Sequence, residues 1–179
     1  MNRAGLAVAG LSAALLSVAP LFLDAYQVDV LNSIGLYALL ALSLNLILGE
    51  AGLFNMGHAA FYAMGAYTAA ILNTRYQIPI LWTLPLSGAV AGVFALLVAR
   101  PVIHLRGDYL MIVTIGVGEI IRIALINDVF GITGGANGIF GISRPKLFGL
   151  TIRQPQEFFY LIWGCVALTI FLFLRLKRS

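Results

Sequence analysis

From Tyr109 to Ile126 the chain is apolar along nearly its whole length, yet Glu119 and Arg122 sit inside that run. At a rise of about 1.5 Å per residue, the run has the length of a membrane-crossing helix. Each charge placed at mid-bilayer costs about 2.5–3.5 kcal/mol, so the two together cancel much of what the surrounding Ile, Leu and Val contribute. Three positions apart on a helix, the two side chains share a face, with Cβ atoms about 5–6 Å apart and free to pair. Several arrangements meet that constraint. Arg122 can snorkel, the pair can do no more than neutralise itself, or the helix can lie partly in the interface. Alternatively, the pair faces a bundle interior or a solute path.

Composition narrows the setting. With 61% hydrophobic and 10% charged residues and a mean hydropathy of +0.98, the chain has too little polar surface to cover a soluble domain of its size. An integral membrane protein is expected. Apart from Arg122, the Lys and Arg behind the net charge of +4 sit at the ends of apolar runs or in the connections between them. They form no single stripe, so no nucleic-acid partner is implied. The lone Cys165 excludes an internal disulfide. His58 and His104 stand apart from any Cys or carboxylate cluster, which leaves no recognisable metal site.

The first apolar run, Ala4 to Leu23, follows Arg3 and resembles a secretory signal. It is longer than a usual signal core, and Leu23-Asp24-Ala25 is a poor cleavage site, so a first span is expected. Asp24, Gln27 and Asp29 then read as an acidic outside connection. The second span, Val30 to Leu48, carries Asn32, Ser33, Ser43 and Asn45, groups tolerated in lipid only against another helix or a wet cavity. Beyond it, Gly49, Gly52 and Gly57 fall close together. Such a cluster between apolar helices predicts backbone that leaves the helix, or packs very closely, at membrane depth. Asn55 and His58 are the polar groups best placed to meet a solute there, or to bond structurally.

Small residues four apart follow: Ala59 with Ala63, Gly65 with Ala69, and Ala66 with Ala70. They invite a close helix neighbour. The third span is expected to end near Asn73. The fourth, Ile80 to Ala99, has Trp82 near the interface, Pro85 placed to kink it, and a packing seam at Gly88 and Gly92. Arg100 to Arg106, including His104, reads as a solvated cytoplasmic connection. After the charged run, Asn127 to Gln156 forms a loop of about thirty residues holding Thr133-Gly134-Gly135-Ala136-Asn137-Gly138. It is either a docking or gating surface outside the membrane or a purely structural turn. A last span, Phe158 to Leu174, ends in Arg175, Lys177 and Arg178.

The predicted fold class is therefore all-α. It is a polytopic transmembrane helix bundle of about six spans in one domain, residues 1–179, with a glycine-rich break between spans two and three. If the charged run spans, Arg3, Arg100, Arg106, Arg175, Lys177 and Arg178 lie inside, and Arg75, Arg144, Lys146 and Arg153 lie outside. If it does not, the terminal cluster falls outside, and charge bias alone does not choose. The run's spanning length and the basic cluster at the last span end favour six spans with both ends inside.

Three groups of residues carry a resemblance. The first is Leu44-Asn45-Leu46-Ile47-Leu48-Gly49, with Gly57-His58-Ala59-Ala60-Phe61 and Gly65-Ala66-Tyr67-Thr68. The second is Leu105-Arg106-Gly107-Asp108-Tyr109-Leu110, with Ile112-Val113-Thr114-Ile115-Gly116 and Gly118-Glu119-Ile120-Ile121-Arg122. The third is Thr133 to Gly138. In order and spacing, across roughly residues 30–140, the chain resembles the branched-chain amino-acid ABC importer permeases, most closely the M-type of the two permease subunits.

The resemblance implies a bacterial inner-membrane, multi-pass subunit. Its partners would be a second permease subunit, two cytoplasmic ATPase subunits, an extracytoplasmic solute-binding protein and the lipid bilayer. The cargo would be leucine, isoleucine, valine or a related small amide such as urea. ATP chemistry would belong to the other subunits, so no cofactor bound directly and no enzyme activity are expected, and the sequence holds no phosphate-loop motif. Asn45, Asn55, His58, Glu119 and Arg122 would line or brace the path. Gly49, Gly52, Gly57, Gly65, Gly88 and Gly92 would serve packing or the backbone break. Thr133, Gly134, Gly135, Asn137 and Gly138 would face the receptor. Members of the family continue through a cytoplasmic loop and further spans, so the chain is expected to be the N-terminal part of a longer permease. The rival readings are a gradient-driven secondary transporter or solute channel, and a non-transporting fragment.

If Glu119 and Arg122 pair within lipid, removing one strands the other. Glu119→Ala or Arg122→Ala alone is then expected to lower membrane insertion more than the double replacement does. Single variants that accumulate to the wild-type level would reject the pairing.

Overall fold

The computed structural model describes residues 18–50, 52–53, 55–102, 105, 107–147 and 150–176. Residues 4–17 of the expected first span lie outside them, as do His104, Arg106, Lys177 and Arg178. The long helices are α1 (Ala25–Asn45), α2 (His58–Tyr76), α3 (Ile80–Val102), α4 (Asp108–Ile126) and α5 (Pro155–Leu176). A small antiparallel ribbon, β1 (Lys146–Leu147) with β2 (Leu150–Thr151), pairs Lys146 with Thr151. Everything else described is helix, turn or loop.

Among the described residues four stretches are long and apolar enough to cross a membrane: Ala25–Glu50, Ile80–Val102, Asp108–Ile126 and Pro155–Arg175. With 19 residues, α2 matches α4 in length. Its composition is more polar, because Thr68, Asn73, Thr74 and Arg75 interrupt the apolar run. At most 11% of the most apolar window in each of the four stretches is buried within the chain. Their outer faces therefore need lipid or other helices.

One boundary departs from the sequence reading. Gln27 and Asp29, expected in a connecting loop, lie inside α1. There the Gln27 side chain caps the helix start, its Oε1 accepting from the Asp24 N–H at 3.2 Å, and the Asp24 carbonyl takes a first helical bond from the Val28 N–H at 3.0 Å. Pro85, placed to kink the fourth span, sits inside a helix that runs unbroken from Ile80 to Val102.

Contacts divide the chain into two compact units, Met1–Leu42 with Arg153–Ser179, and Ser43–Ile152. In the first, α1 meets α5 around buried Val28 and Phe159. The Asn32 amide donates to the Pro155 carbonyl at 3.1 Å. At Gly35 even a methyl group would stand 2.7 Å from Ile162 Cγ2, so a larger residue would force the helices apart.

In the second unit α2 packs on both α3 and α4. Against α3, the Phe61 and Phe94 rings stand 5.6 Å apart, and Gly65 faces Ala91. The turn into α3 is tight because Gln77 adopts a left-handed conformation (φ 54°) and donates its N–H to the Leu72 carbonyl, with Pro79 two residues on. The loop after α4 returns to the same end. Arg75 Nη2 donates to the Gly131 carbonyl at 2.6 Å. Asn73, only 3% exposed, donates from Nδ2 to Ser143 Oγ at 2.6 Å and to the Ile78 carbonyl at 2.8 Å, and accepts from the Ser143 N–H at 2.6 Å. The C-terminal ends of α2 and α4 thus share one side. So α4 runs with α2 and against α3, the direction that a crossing by the charged run requires.

Asn73→Ala deletes these bonds at a buried position and is expected to cost about 1–3 kcal/mol. Limited proteolysis should then cut around Ser143 faster than in the wild type. Unchanged cleavage would show that the clasp does not hold the loop.

Candidate functional site

The path-forming candidate begins where α1 loses regular geometry. Leu46–Glu50 winds into a single wider, π-type turn, a local departure often found at functional positions. Asn45 is exposed, and a side-chain carbon at Gly49 would stand 3.4 Å from its Oδ1. Gly52 then turns the chain with φ 65°. The following backbone satisfies itself locally: Leu53 N–H donates to the Ile47 carbonyl at 3.3 Å, and Asn55 N–H to the Leu53 carbonyl at 3.0 Å. Asn55 Oδ1 accepts from the Gly57 N–H at 3.0 Å, a side-chain turn that launches α2. His58 opens that helix with Nε2 2.6 Å from Ser43 Oγ, while its buried Nδ1 has no hydrogen-bond partner among the described residues.

Thr114, on α4, is the residue onto which this break closes. It is 5% exposed, and its Oγ1 accepts from the Met56 N–H at 3.1 Å while donating to the Met111 carbonyl at 2.9 Å. Beside it, Gly57 lies so close to the Thr114 carbonyl that any Cβ there would collide with the oxygen. One turn on, the Cβ of a side chain at Gly118 would stand 3.5 Å from Gly57 Cα, an ordinary contact. The break and the charged helix therefore meet backbone to backbone.

Two hollows flank the crossing. One, of about 130 Å³, is bordered by Ile47, Phe61, Val98 and Leu110, with Asn55 and Thr114 as its polar members. The other is an open groove of about 460 Å³ between α2 and α4, bordered by Gly57, Ala60, Ala63, Tyr67, Glu119 and Arg122. Glu119 and Arg122 form a two-point ion pair, Nε to Oε2 at 2.9 Å and Nη2 to Oε1 at 2.5 Å. Paired in this way, they still leave 50% of the Glu119 side chain and 61% of the Arg122 side chain accessible.

The glycine-rich loop turns inward. Thr133 is 4% exposed; its N–H donates to Asp128 Oδ1 at 2.7 Å, and its hydroxyl lies 2.8 Å from the Leu125 carbonyl and 2.9 Å from Asp128 Oδ1. The Thr133 donors, backbone first, hold the Asp128 carboxyl below its usual range. Together they close the C-terminal end of α4. Gly134 is left-handed and folds onto Gly138, and Gly135–Asn137 makes one tight turn against α4. What the loop offers outward is Val129, Phe130 and Phe140, the last two 78% exposed.

The structure thus brings Gly57 and Asn55 together with α4, and places Glu119 and Arg122 in a groove beside them. Asn45 with Gly49 and Gly52 stands at the start of the break, and Gly65 packs on α3. At Gly88 and Gly92 an added Cβ would meet nothing within 4 Å among the described residues, because α3 turns Ser87 and Ala91 toward Gly65. Sequence reasoning missed Thr114 and Tyr67. Thr114 was detectable, since Thr114, Gly118 and Arg122 recur every four residues on one helix face.

Over residues 26–179 the chain matches the protein family described as the branched-chain amino acid transport system permease component. It is 46% identical over 138 residues to the high-affinity branched-chain amino acid transport system permease protein LivM of Salmonella typhimurium (strain LT2), an overlap covering 77% of this chain and 32% of that protein. To the protein of the same description from Escherichia coli (strain K12) it is 44% identical over 138 residues, with the same coverage. The chain spans about a third of the length of the curated relatives it matches. No solved structure matches it. The permease relatives and the four apolar helices together make this a multi-pass membrane protein.

Gly57→Ala drives a methyl group into the Thr114 carbonyl and is expected to destabilise the second unit by about 1–3 kcal/mol. Gly118→Ala meets ordinary contact distance and should be tolerated. Thermal aggregation of the detergent-purified variants separates the two, and equal midpoints would refute the crossing.

Proposed function

Because this chain belongs to the family of branched-chain amino acid transport system permease components, we propose that it is a membrane-spanning subunit of an ATP-driven importer. Its cargo is leucine, isoleucine, valine or a closely related small amide. The family match across residues 26–179 carries this reading. The pairing of a backbone break with a largely apolar groove that holds one ion pair supports it. The chain resides in a bacterial inner membrane beside a second permease subunit, two cytoplasmic ATPase subunits and an extracytoplasmic solute-binding protein.

Under this reading the chain performs no bond chemistry. It offers two packings of one helix bundle, and ATP binding and the loaded receptor bias the choice between them through their different affinities for the two. Asn45, Asn55, His58, Glu119 and Arg122 line or brace the path. The Gly57 crossing is the joint at which α2 and α4 move relative to each other, since nothing larger than hydrogen separates their backbones there. Thr133, Gly134, Gly135, Asn137 and Gly138 shape the loop toward the receptor, holding Phe130 and Phe140 on its outer surface.

Affinity purification of the chain from its native membrane is expected to recover a second permease and an ATPase. Leucine uptake by those membranes should stop when ATP is depleted while the proton gradient is held. Uptake that continues under those conditions would replace this reading with gradient-driven transport.

A further inference from the structure

The Glu119–Arg122 pair leaves half of its binding capacity unused. Arg122 commits Nε and one hydrogen of Nη2 to Glu119, so the outer edge of the guanidinium, including Nη1, has no partner among the described residues. The Glu119 carboxylate accepts at each oxygen once, although a carboxylate offers about four lone-pair sites. Both residues border the groove of about 460 Å³, and both side chains stay half accessible or more. That size falls within the range of small-molecule sites, about 300–1,000 Å³. The remaining wall is methyl-rich, with Ala60, Ala63, Ile115 and Leu125, and Tyr67 adds an aromatic ring.

Charge balance selects among occupants. A lone anion would meet Arg122 but be repelled by Glu119, and a lone cation would suffer the reverse. Either would also add net charge where charge is expensive. A purely apolar molecule would bury the pair's open edges without satisfying them. A small zwitterion avoids all three penalties, because it carries both charges close together and sums to zero. We propose that this groove binds the zwitterion of an α-amino acid with an apolar side chain. The Arg122 outer edge takes the α-carboxylate, the free Glu119 lone pairs take the α-ammonium, and the side chain lies on the Ala60 and Ala63 surface. This rests on the import reading and deepens it, by giving the permease its own recognition of the cargo apart from any receptor.

The test uses membranes holding the chain with the subunits that co-purify with it, carrying Cys165→Ser and a single thiol introduced in the groove by Ala63→Cys or, independently, Ile115→Cys. The rate of alkylation by N-ethylmaleimide reports access. Leucine is expected to slow alkylation at both positions. Its two halves, 4-methylpentanoate without the ammonium and 3-methylbutylamine without the carboxylate, should need at least about 10-fold higher concentration, the effect of losing one charged hydrogen-bonding partner. Arg122→Gln should abolish the preference for leucine over 3-methylbutylamine, and Glu119→Gln the preference over 4-methylpentanoate. The comparison of ligands uses the native pair, so it decides the matter even where a Gln variant fails to insert. Absence of protection by leucine, or equal protection by all three compounds, overturns the site. Leucine uptake driven by ATP in the same membranes separates the two readings. Uptake without protection removes the site and leaves the importer, while protection without uptake removes the importer and leaves the site.

Discussion

Where Gly57 lies against the Thr114 carbonyl, two backbones touch with no side chain between them. Much of the second unit follows from that contact. It fixes the level at which α2 begins against α4, and the Met56 N–H reaching Thr114 Oγ1 locks the same level from the other side of the turn. With the starts set and the ends tied through Arg75 to Gly131, α2 and α4 must run in the same direction. Beyond the crossing the small residues Ala59, Ala60 and Ala63 do not fill the space between the helices, and the groove is what remains.

The charged pair is stable in this position for a reason distinct from packing. A lone charge in lipid is opposed by the loss of its hydration, whereas a two-point contact between guanidinium and carboxylate offsets part of that penalty and fixes both rotamers. It does not offset all of it, since both side chains keep about half their surface or more accessible. The pair is therefore a structure with an unmet requirement: its open edges need water, a polar helix face or a ligand. The apolar faces of α1, α3, α4 and α5 carry a parallel requirement, met by lipid or by further helices.

Much of the architecture could be read from the residues, because lipid imposes strong rules on composition and length. The apolar runs at Ile80, Tyr109 and Phe158 became helices close to their expected bounds, and Gly49, Gly52 and Gly57 did mark a break. Polar capping and long-range clasps were harder to read. The start of α1 was misplaced because Gln27 looked like a loop residue, whereas its side chain caps Asp24. The Asn73 to Ser143 clasp joins positions seventy apart, and no local pattern announces it. In the candidate site, the spacing of Glu119 and Arg122 foretold their pairing, while the roles of Thr114 and Tyr67 depended on which face of α4 met α2. The Gly88 and Gly92 seam shows the same ambiguity from the other direction: small residues mark a face able to pack closely, but α2 uses the adjacent one.

Thr133 shows how a motif can be structural and still shape a surface. Its hydroxyl and N–H are consumed by Asp128 and Leu125, so Thr133 has little left to offer a partner directly. By closing the end of α4, however, it sets where the chain emerges, and left-handed Gly134 and Gly138 then hold the next turn in a shape that side chains would resist. Arg75 and Asn73 pin the same loop to α2. The loop that carries exposed Phe130 and Phe140 is thus tied to the ends of both α2 and α4.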